Sequence, residues 1–296
     1  MAEEEIRYAV VTGANKGIGL AISKQLASNG ITVLLTARDE KKGIEAVEKL
    51  KNLGLTGQIF FHQLDVIDPA SIASLADFIK AQFGKLDILV NNAGANGAIV
   101  DPDALAAAGI AEKGMNVDWS KIMTENYELA EVAVKTNYNG AKALSQALIP
   151  LLQLSKSPKI ISISAAMGML ENLPNGWAKE VLSDVENLDE EEIDEISSQF
   201  LKDFKENALE AKGWPTAMSA YSVSKAALNA YTRVLAKKHQ SFCINAVVPG
   251  YVKTDMTCNT GTMTPDEGAE GAVRLALLPN ATPSGLFFFK SQQLSF

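Results

Sequence analysis

Tyr221 and Lys225 stand four positions apart in a stretch whose apolar spacing predicts a helix over 219–238, so a phenol and an ammonium share one helix face. An ammonium beside a phenol favours the phenolate and lowers the phenol pKa toward neutrality, which makes the hydroxyl a usable proton donor. A Tyr-x-x-x-Lys spacing is common by chance, and its meaning depends on what else the chain supplies. Near the N-terminus it supplies Thr12-Gly13-Ala14-Asn15-Lys16-Gly17-Ile18-Gly19, between an apolar run and an amphipathic stretch. Glycines there permit a tight turn and close approach of backbone to a pyrophosphate, whose charge is met by the amides and dipole of a helix N-terminus. Gly13, Asn15, Lys16, Gly17, Ile18 and Gly19 are the candidate contacts. At the end of the next predicted strand, where a carboxylate would grip a free ribose, Ala37-Arg38 stands instead. A guanidinium there, with Lys16, would clamp a 2′-phosphate, so the expected cofactor is NADP(H).

These groups need a scaffold, and the hydrophobic pattern outlines one. Apolar runs predict strands at 8–11, 31–36, 58–64, 86–90, 159–164, 242–248 and 286–289. Amphipathic stretches alternate with them at 17–28, from 40 to about 53, from 69, up to 154, over 219–238 and from 264. Several strands are continuously apolar, as expected when helices cover both sheet faces. Each parallel step needs a crossover, so the pattern predicts an α/β fold: a doubly wound, seven-stranded parallel Rossmann sheet in one domain spanning 1–296. Two segments interrupt the rhythm, an Ala- and Gly-rich loop over 94–118 and a helical insertion of about 168–217. Within the insertion Ile193, Ile196, Phe200 and Phe204 recur at helical spacing and should dock a helix on the body. Its acidic run at 188–195 reads as a solvated helix face.

Composition narrows the function. The net charge of -8 argues against attraction to nucleic acid or anionic membranes. Two cysteines, Cys243 and Cys258, are too few for a disulfide framework, the Met1-Ala2-Glu3-Glu4-Glu5 start is acidic where a leader would be basic, and no run is long enough to span a bilayer, so the expected compartment is the cytoplasm. His62, in a strand, and His239, at a helix end, read as structural, and no Cys/His/carboxylate spacing suggests a metal.

Thr12-Gly13…Gly17-Ile18-Gly19, Leu64-Asp65-Val66, Asn91-Asn92-Ala93-Gly94, Asn137, Tyr221…Lys225 and Pro249-Gly250-Tyr251-Val252-Lys253-Thr254 fall in order across most of the chain. Together they resemble the short-chain dehydrogenase/reductases. The insertion and the wording around Ala14-Asn15-Lys16 look like the monomeric carbonyl-reductase branch, in particular its plant group of salutaridine, menthone/neomenthol and isopiperitenone reductases. The resemblance implies that Asp65 holds the adenine, that Asn91 and Ala93 line the adenine ribose, and that Thr254 with Val252 binds the nicotinamide carboxamide, with Val66, Gly94, Pro249 and Gly250 as further cofactor contacts. It implies Tyr221 as proton donor to a carbonyl oxygen, Lys225 on the nicotinamide ribose, and Asn137 holding a water behind the lysine. The implied activity is reduction of a small hydrophobic ketone or aldehyde, and the expected oligomeric state is a monomer.

One position departs from the family. Its serine, three residues before a glycine at the end of the fifth strand, is here Ala165 in Ser164-Ala165-Ala166-Met167-Gly168. Ser164 substitutes only if the strand end twists, because adjacent side chains on a strand face opposite ways. The missing hydroxyl keeps two alternatives open: reduction of a conjugated double bond, and an NADP-binding isomerase, cyclase or scaffold without redox turnover.

Overall fold

The computed structural model describes residues 5–110, 117–279 and 283–296. Tyr8–Val11 forms β1, and the glycine turn leads into α1, Gly17–Ser28. Then follow β2 (Thr32–Ala37), α2 (Glu40–Lys51), β3 (Ile59–Gln63), α3 (Pro69–Gln82) and β4 (Ile88–Asn91). Asp39 and Asp68 cap α2 and α3 by accepting first-turn amides, which explains where those helices start. A hairpin of β5 (Ala98–Val100) and β6 (Met123–Glu125) brackets a short helix, α4 (Pro102–Ala108). A long helical stretch comes next, α5 (Tyr127–Val134) and α6 (Ala141–Leu152), joined by a π turn at Lys135–Gly140. The remainder comprises β7 (Lys159–Ile163), α7 (Trp177–Ser183), α8 (Glu190–Lys205), α9 (Ser219–Lys238), β8 (Cys243–Val248), α10 (Pro265–Leu277), β9 (Leu286–Phe289) and β10 (Gln292–Leu294).

Seven strands run parallel in the order β3-β2-β1-β4-β7-β8-β9, as the alternation predicts. Chain order reverses at β1, which opens a crevice beyond the carboxyl ends of β1 and β4, the usual ligand position in such sheets. Apolar residues of α1, α2 and α10 pack on one face, with Val33, Leu35 and Val90 beneath them. On the other face α3, α5, α6 and α9 pack over Val10, Leu34, Leu89 and Ile160.

Several elements were not foreseen. The expected loop at 94–118 contains β5 and α4, and an eighth strand, β10, pairs antiparallel with β9. The insertion docks as its apolar spacing predicts, with Ile193, Ile196 and Phe200 fully buried and Trp214 edge-on to Phe200. The acidic run is only partly solvated, which corrects the sequence reading. Asp189 and Glu192 form a capping box at the start of α8, while Asp194 accepts from the Tyr138 hydroxyl and pairs with Lys142, and Glu190 pairs with Lys238. Burying each large apolar side chain is worth about 1.5–3 kcal/mol, whereas partly exposed ion pairs are worth about 1 kcal/mol or less. The apolar face therefore holds the insertion down, and the charges fix its orientation.

Candidate active site

Lys225 is 4% exposed, and its ammonium donates to the Ile163 carbonyl at the end of β7 (2.8 Å). Withdrawal from water lowers its pKa to about 8, because burial penalises the charged form. One helical turn earlier Tyr221 is partly buried, with the ammonium 5.8 Å from its ring centre. The phenol pKa is pushed up to about 12 by burial, not lowered toward neutrality as the pairing alone suggests. The reason is geometric: the ammonium donates to the Ile163 carbonyl, and loss of water dominates at the phenol.

The turn after β7 must lie close to α9. Gly168 has no room for a side chain, since a Cβ there would fall 2.6 Å from the carbonyl carbon of Lys225. Ala165 is extended and partly exposed at the head of this turn, and it offers no hydroxyl. Ser164 is 2% exposed, its hydroxyl has no partner, and it makes no hydrogen bond to Tyr221.

Asn137 lies in the π turn, a feature frequent at functional sites. Its side-chain oxygen accepts from the Ala95 amide (2.8 Å), and its NH2 donates to the Ala95 carbonyl (2.8 Å) and the Ser224 hydroxyl (2.9 Å). This amide clamps the root of the 95–125 segment to α9. At the far end of that segment, Glu125 accepts from the Ser219 hydroxyl in the first turn of α9. Val100, Leu105, Ile110, Ile122 and Trp119 pack with Tyr251 and Cys258 from the loop after β8.

The crevice residues fit a dinucleotide. Gly13 (φ 60) and Gly17 (φ 57) are left-handed, a conformation that favours glycine, and a Cβ on Gly19 would lie 2.4 Å from the Asn92 side-chain nitrogen. Helix α1 has no side-chain cap and no acid in its first turn, which leaves its amides and dipole to an anion. Thr12 ties the turn to β4 by accepting from the Asn92 and Ala93 amides (2.9 Å each), and the Asn92 side chain donates to the Thr12 carbonyl (2.8 Å). Asn15, Ile18, Ala93, Gly94, Asp65, Arg38, Pro249, Gly250 and Thr254 all reach surface in the crevice loops, while Val66 and Val252 are buried beneath them. The Asp65 amide donates to Ser71, and Gly140 of the π turn packs tightly on Val66.

Two expected contacts sit differently. The Asn91 side chain is buried and donates to Ser145 (3.0 Å), so it faces α6 and only its backbone remains for a ribose. The Lys16 ammonium pairs across the crevice with Asp255, holding that carboxyl below the usual range, while Arg38 is exposed at the end of β2. Asn92 and Glu125 are site residues beyond the sequence expectation: Asn92 lies inside the Asn91–Gly94 motif, but no sequence signal marks Glu125, whose partner is 94 positions away. Among the described residues no group of His, Cys, Asp and Glu could hold a metal ion, and no helix is long and apolar enough to cross a membrane.

A buried lysine beside a protonated phenol, at the mouth of a crevice that fits a dinucleotide, is an arrangement able to serve an oxidoreductase that draws its reducing power from a bound coenzyme. The sequence pattern of the short chain dehydrogenase family matches residues 7–176 and 210–264, and the chain belongs to that family. It is 58% identical over 299 residues to (+)-neomenthol dehydrogenase of Arabidopsis thaliana, with 100% of each chain covered. The solved structure of salutaridine reductase from Papaver somniferum superposes with a TM-score of 0.89 at 52% identity, covering 97% of this chain and 100% of that one. Carbonyl reductase [NADPH] 3 of Mus musculus is 37% identical, over 92% of this chain and 91% of its own.

The buried lysine makes folding pH-dependent. Folded Lys225 releases its proton near pH 8, whereas an unfolded lysine keeps it to about 10.5, so between these values the unfolded chain binds more protons and stability rises with pH. Denaturant unfolding at pH 7.5 and 9.5 should give the wild-type protein about 2 kcal/mol more gain than Lys225→Met. An equal gain in both proteins would contradict the assignment.

Proposed function

We propose that the protein is an NADPH-dependent reductase of a small hydrophobic ketone or aldehyde of terpenoid or alkaloid size, with Tyr221 as the proton donor. The observation that carries this reading is the Tyr221–Lys225 pair, fixed to the end of β7 by the Ile163 carbonyl and facing the dinucleotide crevice. The names of the relatives, a terpenoid dehydrogenase, an alkaloid reductase and an NADPH carbonyl reductase, support the substrate class and the cofactor.

The bound cofactor supplies hydride; this chain supplies position and the proton. Gly13, Asn15, Gly17, Ile18 and Gly19 would hold the pyrophosphate, Asp65, Val66, Ala93, Gly94 and the Asn91 backbone the adenosine, and Val252 and Thr254 the carboxamide, with Pro249 and Gly250 beside them. Lys225 would reach the nicotinamide ribose, and its ammonium, mostly protonated at neutral pH, favours proton release from Tyr221. With its pKa near 12, Tyr221 is protonated at neutral pH and suited to donate to the developing oxyanion. Arg38 would meet a 2′-phosphate, and Lys16 would join it by leaving Asp255. That exposed pair is worth at most about 1 kcal/mol, so a phosphate displaces it.

One observation favours a second reading. With a methyl group at Ala165 and Ser164 buried, an oxyanion meets one donor instead of two. Reduction of a conjugated double bond puts the hydride on the β-carbon and spreads the charge over an enolate, which leans less on a second donor.

Titration should give NADPH at least tenfold tighter binding than NADH, and Arg38→Ala should narrow that gap; equal affinities in the wild-type protein would refute the cofactor assignment. On a panel of ketones and enones with product analysis, Ala165→Ser should raise ketone turnover tenfold or more, in line with the 10²–10³ attributed to an oxyanion donor. Tyr221→Phe should remove nearly all ketone reduction and leave NADPH affinity intact. Unchanged ketone turnover in Ala165→Ser would move the assignment to alkene reduction or a non-redox role. A monomer is also proposed, because α8 packs on α5 and α9 and occupies the helical face that would otherwise receive a second subunit. Sedimentation at micromolar concentration should give the single-chain mass, and a stable dimer would overturn this.

A further inference from the structure

Helix α9 begins without a cap of its own. Met218, at the capping position, has a left-handed backbone (φ 47), its side chain bonds no first-turn amide, and the first turn holds no acid. Ser219 and Ala220 are both 0% exposed, so their donors have no access to bulk water. The acceptor comes from outside the helix. The Glu125 side-chain oxygen takes the Ser219 hydroxyl at 2.9 Å and the Ala220 amide at 3.4 Å. Tyr221 is the next residue.

Glu125 ends β6 and pairs with Ala98 of β5, so the whole hairpin is brought against this turn. The approach is close just before the other strand as well: a Cβ on Gly97, itself left-handed at φ 74, would lie 3.2 Å from the Ala220 Cβ. The root of the segment is fixed independently by the Asn137 clamp on Ala95. The 95–125 segment, which packs with Tyr251 and Cys258, is therefore tied to the tyrosine helix at both ends.

We propose that Glu125 is a positioning residue, whose side-chain oxygen fixes the first turn of α9, and with it the Tyr221 hydroxyl, to the hairpin beside the crevice. This rests on the reading of Tyr221 as the proton donor. Without that acceptor two dry donors lose their partner, and the first turn must fray or shift to satisfy them. Lys225, one turn further, stays anchored on Ile163 and hemmed in by Gly168, so cofactor binding is spared while the phenol moves. A displacement of about 1 Å in a reacting group costs on the order of a hundredfold in rate.

The test compares wild type, Glu125→Ala, Glu125→Gln and Tyr221→Phe on the ketone that the wild-type protein turns over fastest. It reads kcat, KM, NADPH affinity by fluorescence titration, and deuterium exchange of the amides at 219–224. Glu125→Ala should lower kcat tenfold or more, leave NADPH affinity within twofold, and speed exchange at Ala220 and Tyr221 at least tenfold. Glu125→Gln keeps an oxygen acceptor and should stay within threefold of wild type in both. The proposal is overturned if Glu125→Ala keeps kcat within twofold, or if Glu125→Gln falls as far as Glu125→Ala. Should Glu125→Ala lose its native circular dichroism, Ser219→Ala removes one of the two donors, and a threefold loss of kcat at unchanged NADPH affinity supports the proposal where no loss overturns it. Full turnover in Tyr221→Phe would overturn the proton-donor reading itself, and the exchange data tell that failure apart from a failure of Glu125.

Discussion

A lysine side chain withdrawn almost completely from water must find an oxygen, and Lys225 finds the carbonyl of Ile163 where β7 ends. That one bond sets the distance between α9 and the sheet. It makes the turn after β7 pass so close to the helix that Gly168 has no room for a methyl, and it leaves Gly94 near the ammonium on the opposite side. Tyr221, a single turn up the same helix, inherits its place from this anchor. The crevice between β1 and β4 exists in any sheet wound this way; the buried ammonium is the charged group set beside Gly94 at its edge.

Two segments have been added around this frame, and both are attached to α9. The insertion lies along the helix through Ile193, Ile196 and Phe200, and it carries its own buried carboxylate, Asp203, which accepts from the Trp214 indole (2.8 Å) and the Gln199 amide (2.7 Å). An unpaired carboxylate at 2% exposure would be costly, so that pair of donors is a condition of the insertion folding as it does. The 95–125 segment reaches the helix at its N-terminus through Glu125 and at Ser224 through Asn137. One helix thus connects the cofactor crevice, the hairpin and the insertion.

The parts legible in the sequence were those encoded locally. Seven parallel strands followed from short apolar runs, the glycine turn from its spacing, and the docking of α8 from apolar residues at helical intervals. What escaped was set by partners far along the chain. A π turn does not disturb the apolar period enough to be seen, so the residues around Asn137 read as ordinary helix. The Ala-rich stretch at 102–108 reads as loop because seven residues are too few to declare a helix. Lys16 looked committed to a phosphate because Asp255, 239 positions on, has no visible link to it. The Tyr-Lys pair was read correctly as neighbours but incorrectly as a phenol of lowered pKa, since periodicity reports which groups share a face and not how dry that face is.

The antiparallel β10 has a consequence beyond the site. Without it β9, with the sequence Leu286-Phe287-Phe288-Phe289, would end the sheet as an apolar strand with unpaired amides and carbonyls, the kind of edge on which a second chain can build. Gln292, Gln293 and Leu294 occupy those groups, and Phe296 then folds over, stacking on Phe287 and lying under the Arg233 guanidinium. The edge that remains is three residues long and mostly polar, too short to template a ladder. Protection of this edge is thereby lodged in a few residues after β9, and because Leu294 and Phe296 pack with Met169, the same residues also brace the turn after β7.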